Sequence, residues 1–154
     1  MTLHLRRRGF VLGTAATGLG LVAGLRPARA QEPLKVGFVY VGPKSDNGWS
    51  YRHEVGRQEV EKAFPGKVTT SFVENVPEGP DAERVIRKLA SDGHGLIFTT
   101  SFGFMNPTAQ VAKQFPKIHF EHATGYMRAD NVATYDARFY EGRYVMGQIA
   151  AKMS

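Results

Sequence analysis

The chain has no cysteine. Disulfides, thiolate metal sites and a cysteine nucleophile are therefore excluded, as is a lipid-bearing cysteine behind an export signal. Basic charge is scarcer than the formal +6 suggests. Residues 1–30 hold five arginines (Arg6, Arg7, Arg8, Arg26, Arg29) and no acid, which leaves 15 basic against 14 acidic side chains in the rest. A nearly neutral body offers no footprint for phosphate backbones, so no nucleic-acid partner is expected. Beyond residue 30 no apolar run approaches a membrane span. Internal repeats and low-complexity linkers are missing too. So are the phosphate-loop spacing, a Gly-x-Ser-x-Gly elbow and any carboxylate pair committed by its spacing to acid–base work. Tryptophan occurs once, at Trp49.

What is present begins with a leader. "RRRGF" is a basic start, residues 9–25 form an uncharged, Gly-rich apolar stretch, and "ARA" at 28–30 fits a small-x-small cleavage site before Gln31. Arg7-Arg8-Gly9-Phe10 resembles the twin-arginine motif, with Arg6 where Ser or Thr is usual. The segment is short and glycine-rich for a membrane anchor. The expectation is a soluble periplasmic protein with its signal cleaved after Ala30.

The rest alternates. "LKVGFVYVG" (34–42) reads as a buried strand, 49–64 as a helix ended by Pro65-Gly66, and "KVTTSFVENV" (67–76) as a second strand. Ala82, Val85, Ile86, Leu89 and Ala90 then form one helical stripe, opened at Pro80 or Asp81 and closed at Gly93. "HGLIFTTS" (94–101), "KIHFEHAT" (117–124) and "NVATYDA" (131–137) read as strands. A helix over 106–115, with Asn106 as cap and Pro107 in its first turn, separates the first two, and a helix over 138–153 closes the series. Such alternation predicts an α/β fold, a doubly wound parallel sheet covered by helices. Ligands of such sheets lie outside the carboxyl ends of the strands. The loops "GPKSDNGW", "TTSFGFMNP" and "ATGYM" are thus expected to rim one edge.

Each candidate also has a plain structural reading. Asn-Gly in "SDNGW" signals a hairpin, but 49–64 does not alternate as a partner strand would. A helix cap fits better, with Ser45, Asp46 or Asn47 accepting free N–H groups of the first turn. Capping does not require an indole, whereas Trp49 at a sheet edge is a stacking platform for a flat or sugar-like solute. In "TTSFGFMNP" the hydroxyls and phenyl rings suit a solute, and Gly103 suits a close backbone approach. An ordinary loop with one Phe in the core suits the same residues. "HFEH" (119–122) invites a metal reading, but alternation sends His119 and Glu121 to one face and His122 to the other. Asp136 and Glu141 could serve acid–base chemistry or simply enter a helix.

The leader, "KVGFVYVGPKSDNGWSYRHEVGRQEVEKAF", "LIFTTSFGFMNP" and "NVATYDARFYEGRYVMGQIAAKMS" together resemble the basic membrane protein (BMP) family of solute-binding proteins. That family is similar to the purine nucleoside receptor of spirochaetes and belongs with the type I periplasmic binding proteins. The resemblance implies two α/β lobes joined by a hinge, a solute bound between them with aromatic rings on its base, and delivery to an ABC permease in the inner membrane. It implies no catalysis, cofactor or metal, and a monomer at full length. Asp46 and Asn47 match the polar pair of the family's first loop, and Trp49 an aromatic position that is often Phe. Ser101, Phe102 and Gly103 match the loop after the third strand. With Ser45, Gly48, Tyr126 and Asp136 they make the expected ligand-binding set. "SDNGWS" departs from the usual "D-x-S-F-N", so the resemblance admits a free base such as adenine as readily as a nucleoside. A sugar or amide binder, a sensor presenting its ligand to a membrane receptor, and an exported nucleoside-hydrolysing enzyme are the rivals. Two lobes need roughly 300 residues. The chain therefore reads as a leader (1–30), a first lobe (31–137) and the first helix (138–154) of a second lobe that it lacks, with Tyr144, Val145, Ile149 and Met153 left exposed.

Overall fold

The computed structural model describes residues 32–45 and 47–154. The expected leader and Asp46 lie outside the described residues. Five strands form one sheet: β1 (Leu34–Val39), β2 (Val68–Val73), β3 (Leu96–Thr99), β4 (His119–Ala123) and β5 (Val132–Tyr135). Their order is β2-β1-β3-β4-β5, and every neighbouring pair is parallel. Helices α1 (Trp49–Ala63), α2 (Pro80–Ser91) and α3 (Met105–Gln114) connect the first four strands, and α4 (Phe139–Met153) follows the fifth. All five carboxyl ends therefore point to one edge, as the alternation predicts.

Sheet alternation divides the core. Val39 and Ile97 face α2 and α3, where they pack with Ile86, Leu89, Phe104, Val111 and Phe120. Val36, Phe38 and Tyr40 pack on the other face with Phe72 and Phe98. The α2 stripe is buried as its spacing requires: Ala82, Ile86, Leu89 and Ala90 are inside. Large apolar side chains of this kind contribute about 1.5–3 kcal/mol each on burial. Gly93 ends that helix with φ +85°, a conformation glycine adopts without steric cost.

Two capping expectations are corrected. Gly48, not Ser45 or Asn47, is the N-cap of α1. Ser50, inside the first turn, instead accepts a hydrogen bond from the Gly42 N–H at 3.2 Å. The helix starts at Trp49, four residues after Ser45 and two after Asn47. In α3 the cap is Phe104, again without a side-chain bond, and Asn106 lies within the first turn. The reason is a short 3-10 turn, Phe102–Phe104, that runs directly into α3.

Helix α1 buries polar side chains. Ser50 and Glu54 are its buried residues. Arg57 grips Glu54 with two bonds of 2.8 Å, and Gln58 and Tyr40 add donors at 2.9 and 3.2 Å. The Arg57 guanidinium holds the Glu54 carboxyl at about 2, well below its ordinary 4.5.

Candidate functional site

Trp49 opens α1 at the sheet's carboxyl edge. Its indole N–H donates to the carbonyl of Thr100, which ties the loop after β1 to the loop after β3. One helical turn on, His53 meets the indole edge-on, ring centres 4.7 Å apart. His53 Nδ1 lies 2.9 Å from the Trp49 carbonyl and Nε2 lies 3.1 Å from the Tyr135 hydroxyl. Burial pushes the His53 imidazole below its ordinary 6.5, and burial pushes the Tyr135 phenol up. Phe139 completes the wall, 5.6 Å from the Trp49 ring. Trp49, Arg52, His53, Tyr135, Asp136, Ala137 and Phe139 line a cleft of ≈ 360 Å³.

A second cluster lies on the same edge. Ser101 Oγ donates to Glu78 at 2.5 Å, and the Gly103 N–H donates to the same carboxylate oxygen at 3.1 Å. A Cβ at Gly103 would lie 2.1 Å from the Glu78 carboxyl carbon, so a carboxylate already occupies that close approach. Phe102 and Tyr126 are 55% and 74% exposed, with ring centres 6.4 Å apart. Near Gly125 sits His122, which is buried and shifted below its ordinary 6.5 by that burial. Its Nδ1 meets the Thr99 hydroxyl at 3.0 Å, while Nε2 has no partner among the described protein atoms. Gly125 makes room for the ring: a Cβ there would lie 2.0 Å from His122 Cδ2.

The expected residues are thus sorted into two groups. Trp49 and Asp136 share the cleft, while Ser101, Phe102, Gly103 and Tyr126 form the second cluster. Ser45 and Asn47 are exposed on the first loop, Asn47 with φ 55°, and Gly48 caps α1. His53, Tyr135, Phe139 and Glu78 escaped the sequence reading. A signal existed for two of them: His53 is four residues after Trp49 on a helix, and the edge rule includes the loop after β2, where Glu78 lies. His119 is exposed and His122 buried, on opposite faces as alternation requires. Among the described residues no group of three or more His, Asp or Glu side chains is placed to hold a metal ion. A larger groove, of ≈ 690 Å³, lies along β2 and α2 and includes Ser71 and His94, but it flanks the sheet instead of its carboxyl edge.

Comparisons with known proteins give the family and the fold. Residues 34–154 match the model of the Bmp family, described as "ABC transporter substrate-binding protein PnrA-like". The chain is 57% identical over 146 residues to a purine-binding protein of Brucella abortus (strain 2308), covering 95% of this chain and 38% of that one. It is 35% identical over 140 residues to a Haloferax volcanii protein named for glucose binding in an ABC transporter, covering 91% and 35%. The chain therefore spans little more than a third of the length of these relatives. Among solved structures, a lipoprotein fragment from Peptoclostridium difficile 630 superposes with TM-score 0.59 at 20% identity, over 79% of this chain and 99% of that one. A solute-binding protein of an ABC transporter from Conexibacter woesei gives 0.58 at 20% identity, over 67% and 35%. These two support the α/β fold.

Proposed function

The chain belongs to the PnrA-like family of ABC transporter substrate-binding proteins, and from that premise we propose that it carries one wall of a cleft for a purine base or nucleoside, adenine-like in its base. The observation that carries the reading is the cleft beside Trp49: aromatic rings from α1, β5 and α4 bound a space at the carboxyl edge of the sheet. Stacking on such rings contributes about 1–3 kcal/mol per base. The name of the Brucella relative supports a purine, at the higher of the two identities. A sugar is the second reading, favoured by the name of the Haloferax relative.

On this reading the solute is held without chemical change and passed to an ABC permease in the inner membrane. Residues 1–30 are the export signal of a periplasmic protein, cut after Ala30, and 31–137 are its first lobe. Helix α4 starts the second lobe, and the exposure of all its residues supports that assignment. Among the described residues no helix is long and apolar enough to cross a membrane. Isothermal titration of the intact protein with adenine, adenosine and glucose is the test. Purine binding with recovery of unchanged ligand is expected. Binding of glucose with none of a purine would overturn the assignment, and turnover of adenosine would overturn the transport role.

A further inference from the structure

The neutral side-chain donors of the cleft beside Trp49 are spent within the cleft. The indole N–H goes to the Thr100 carbonyl. A carbonyl carries no hydrogen, so the 2.9 Å contact between the Trp49 carbonyl and His53 Nδ1 places the ring proton on Nδ1. The second nitrogen, Nε2, is then a lone pair, and the contact at 3.1 Å must be donated by the Tyr135 hydroxyl. Burial of both rings favours these neutral forms. What Tyr135 has left is an oxygen acceptor. The neighbouring Asp136 carboxylate also only accepts, and one of its oxygens already takes the Ala137 N–H at 2.8 Å. Among the lining side chains the remaining donor is Arg52, exposed and lying over the Tyr51 ring.

We propose that the relay from Tyr135 through His53 to the Trp49 carbonyl fixes the cleft as an acceptor site, selecting a flat solute that offers an amino N–H to the Tyr135 oxygen. The inference rests on the purine reading above and sharpens it: adenine, with its exocyclic amine, is preferred to the same ring without it. Sites built to pair a polar group discriminate strongly against an analogue lacking it, because their own buried group is left unpaired. His53 acts through Tyr135 and is a positioning residue.

Titration of the intact protein with adenine, unsubstituted purine and hypoxanthine tests this. Wild type is expected to bind adenine at least about tenfold more tightly than purine. In Tyr135→Phe that ratio should fall towards one, chiefly through loss of adenine affinity, with purine little changed. His53→Leu frees the tyrosine proton, so preference should move from adenine towards hypoxanthine, which presents a carbonyl acceptor. Equal loss for all three ligands in both variants would mean that the pair only packs, and would overturn the relay. An unchanged adenine-to-purine ratio in Tyr135→Phe would do the same while leaving the purine reading intact. A wild type that binds none of the three overturns both.

Discussion

Trp49 is fixed by its own hydrogen bond. The bond to Thr100 and the contacts with His53 and Phe139 hold the ring as a wall, so little rotamer freedom remains to be lost on binding. Trp49→Ala is expected to weaken purine binding by about 1–3 kcal/mol in a calorimetric titration; an unchanged dissociation constant would mean the ring serves packing alone. At Gly103 the constraint is a carboxylate. Gly103→Ala must displace Glu78, with loss of its bonds to Ser101 and Gly103. A stability loss of about 1 kcal/mol is expected in urea unfolding, and no loss in the double variant Glu78→Ala, Gly103→Ala relative to Glu78→Ala would confirm the cause. Trp49 and the edge it occupies were legible in the chain because strand ends can be read from composition. Its partners were not: His53 and Tyr135 are 82 residues apart, and no local spacing announces a contact made by folding.

Helix α1 shows how an element departs from its apparent pattern. Its apolar residues Tyr51, Val55 and Val60 are only half-buried, whereas Glu54 is inside. The Arg57 bonds make that burial tolerable, since a buried carboxylate without a partner is strongly disfavoured. Glu54→Ala leaves Arg57 with Glu61 as its remaining ion-pair partner and is expected to cost about 1.5–3 kcal/mol, measured by chemical denaturation. The pH dependence has a definite sign. The Glu54 carboxyl is lowered from 4.5 to about 2 in the folded chain. Its contribution is therefore complete above 4.5 and lost as pH falls towards 2. His53 and His122 act in the same direction at higher pH. Both lie below their ordinary 6.5 when folded, so the unfolded chain binds more protons and stability declines as pH drops below 6.5. Urea midpoints at pH 7.5 and 5.5 should differ, the lower at pH 5.5, and a His122→Gln variant should show less of the difference. Helix boundaries followed the periodicity closely, because amphipathic helices carry their signal locally, whereas β1 and β2 each end three residues before the apolar pattern does. The cap of α3 did not follow the periodicity, because the 3-10 turn runs directly into the helix and makes Phe104 its cap.

At the scale of the molecule, the sheet gathers five loops on one edge, and α4 leaves that edge with every residue exposed. Tyr144, Val145, Ile149 and Met153 form no part of the core here. Ile149→Glu is accordingly expected to change the stability of the 154-residue chain by no more than about 0.5 kcal/mol, read from its thermal midpoint; a larger loss would place α4 in the core. Residue order by itself determined the parallel α/β architecture, since alternating strand and helix periods leave few other ways to bury both faces of a sheet. It also determined the edge at which to look, because parallel strands end together. Only the tertiary structure decided which residues meet there. Hydrogen bonds such as Tyr135 to His53 and Ser101 to Glu78 depend on distances of a few ångströms between distant segments. Hydrophobic pattern, which specifies faces and layers, has no means of encoding them.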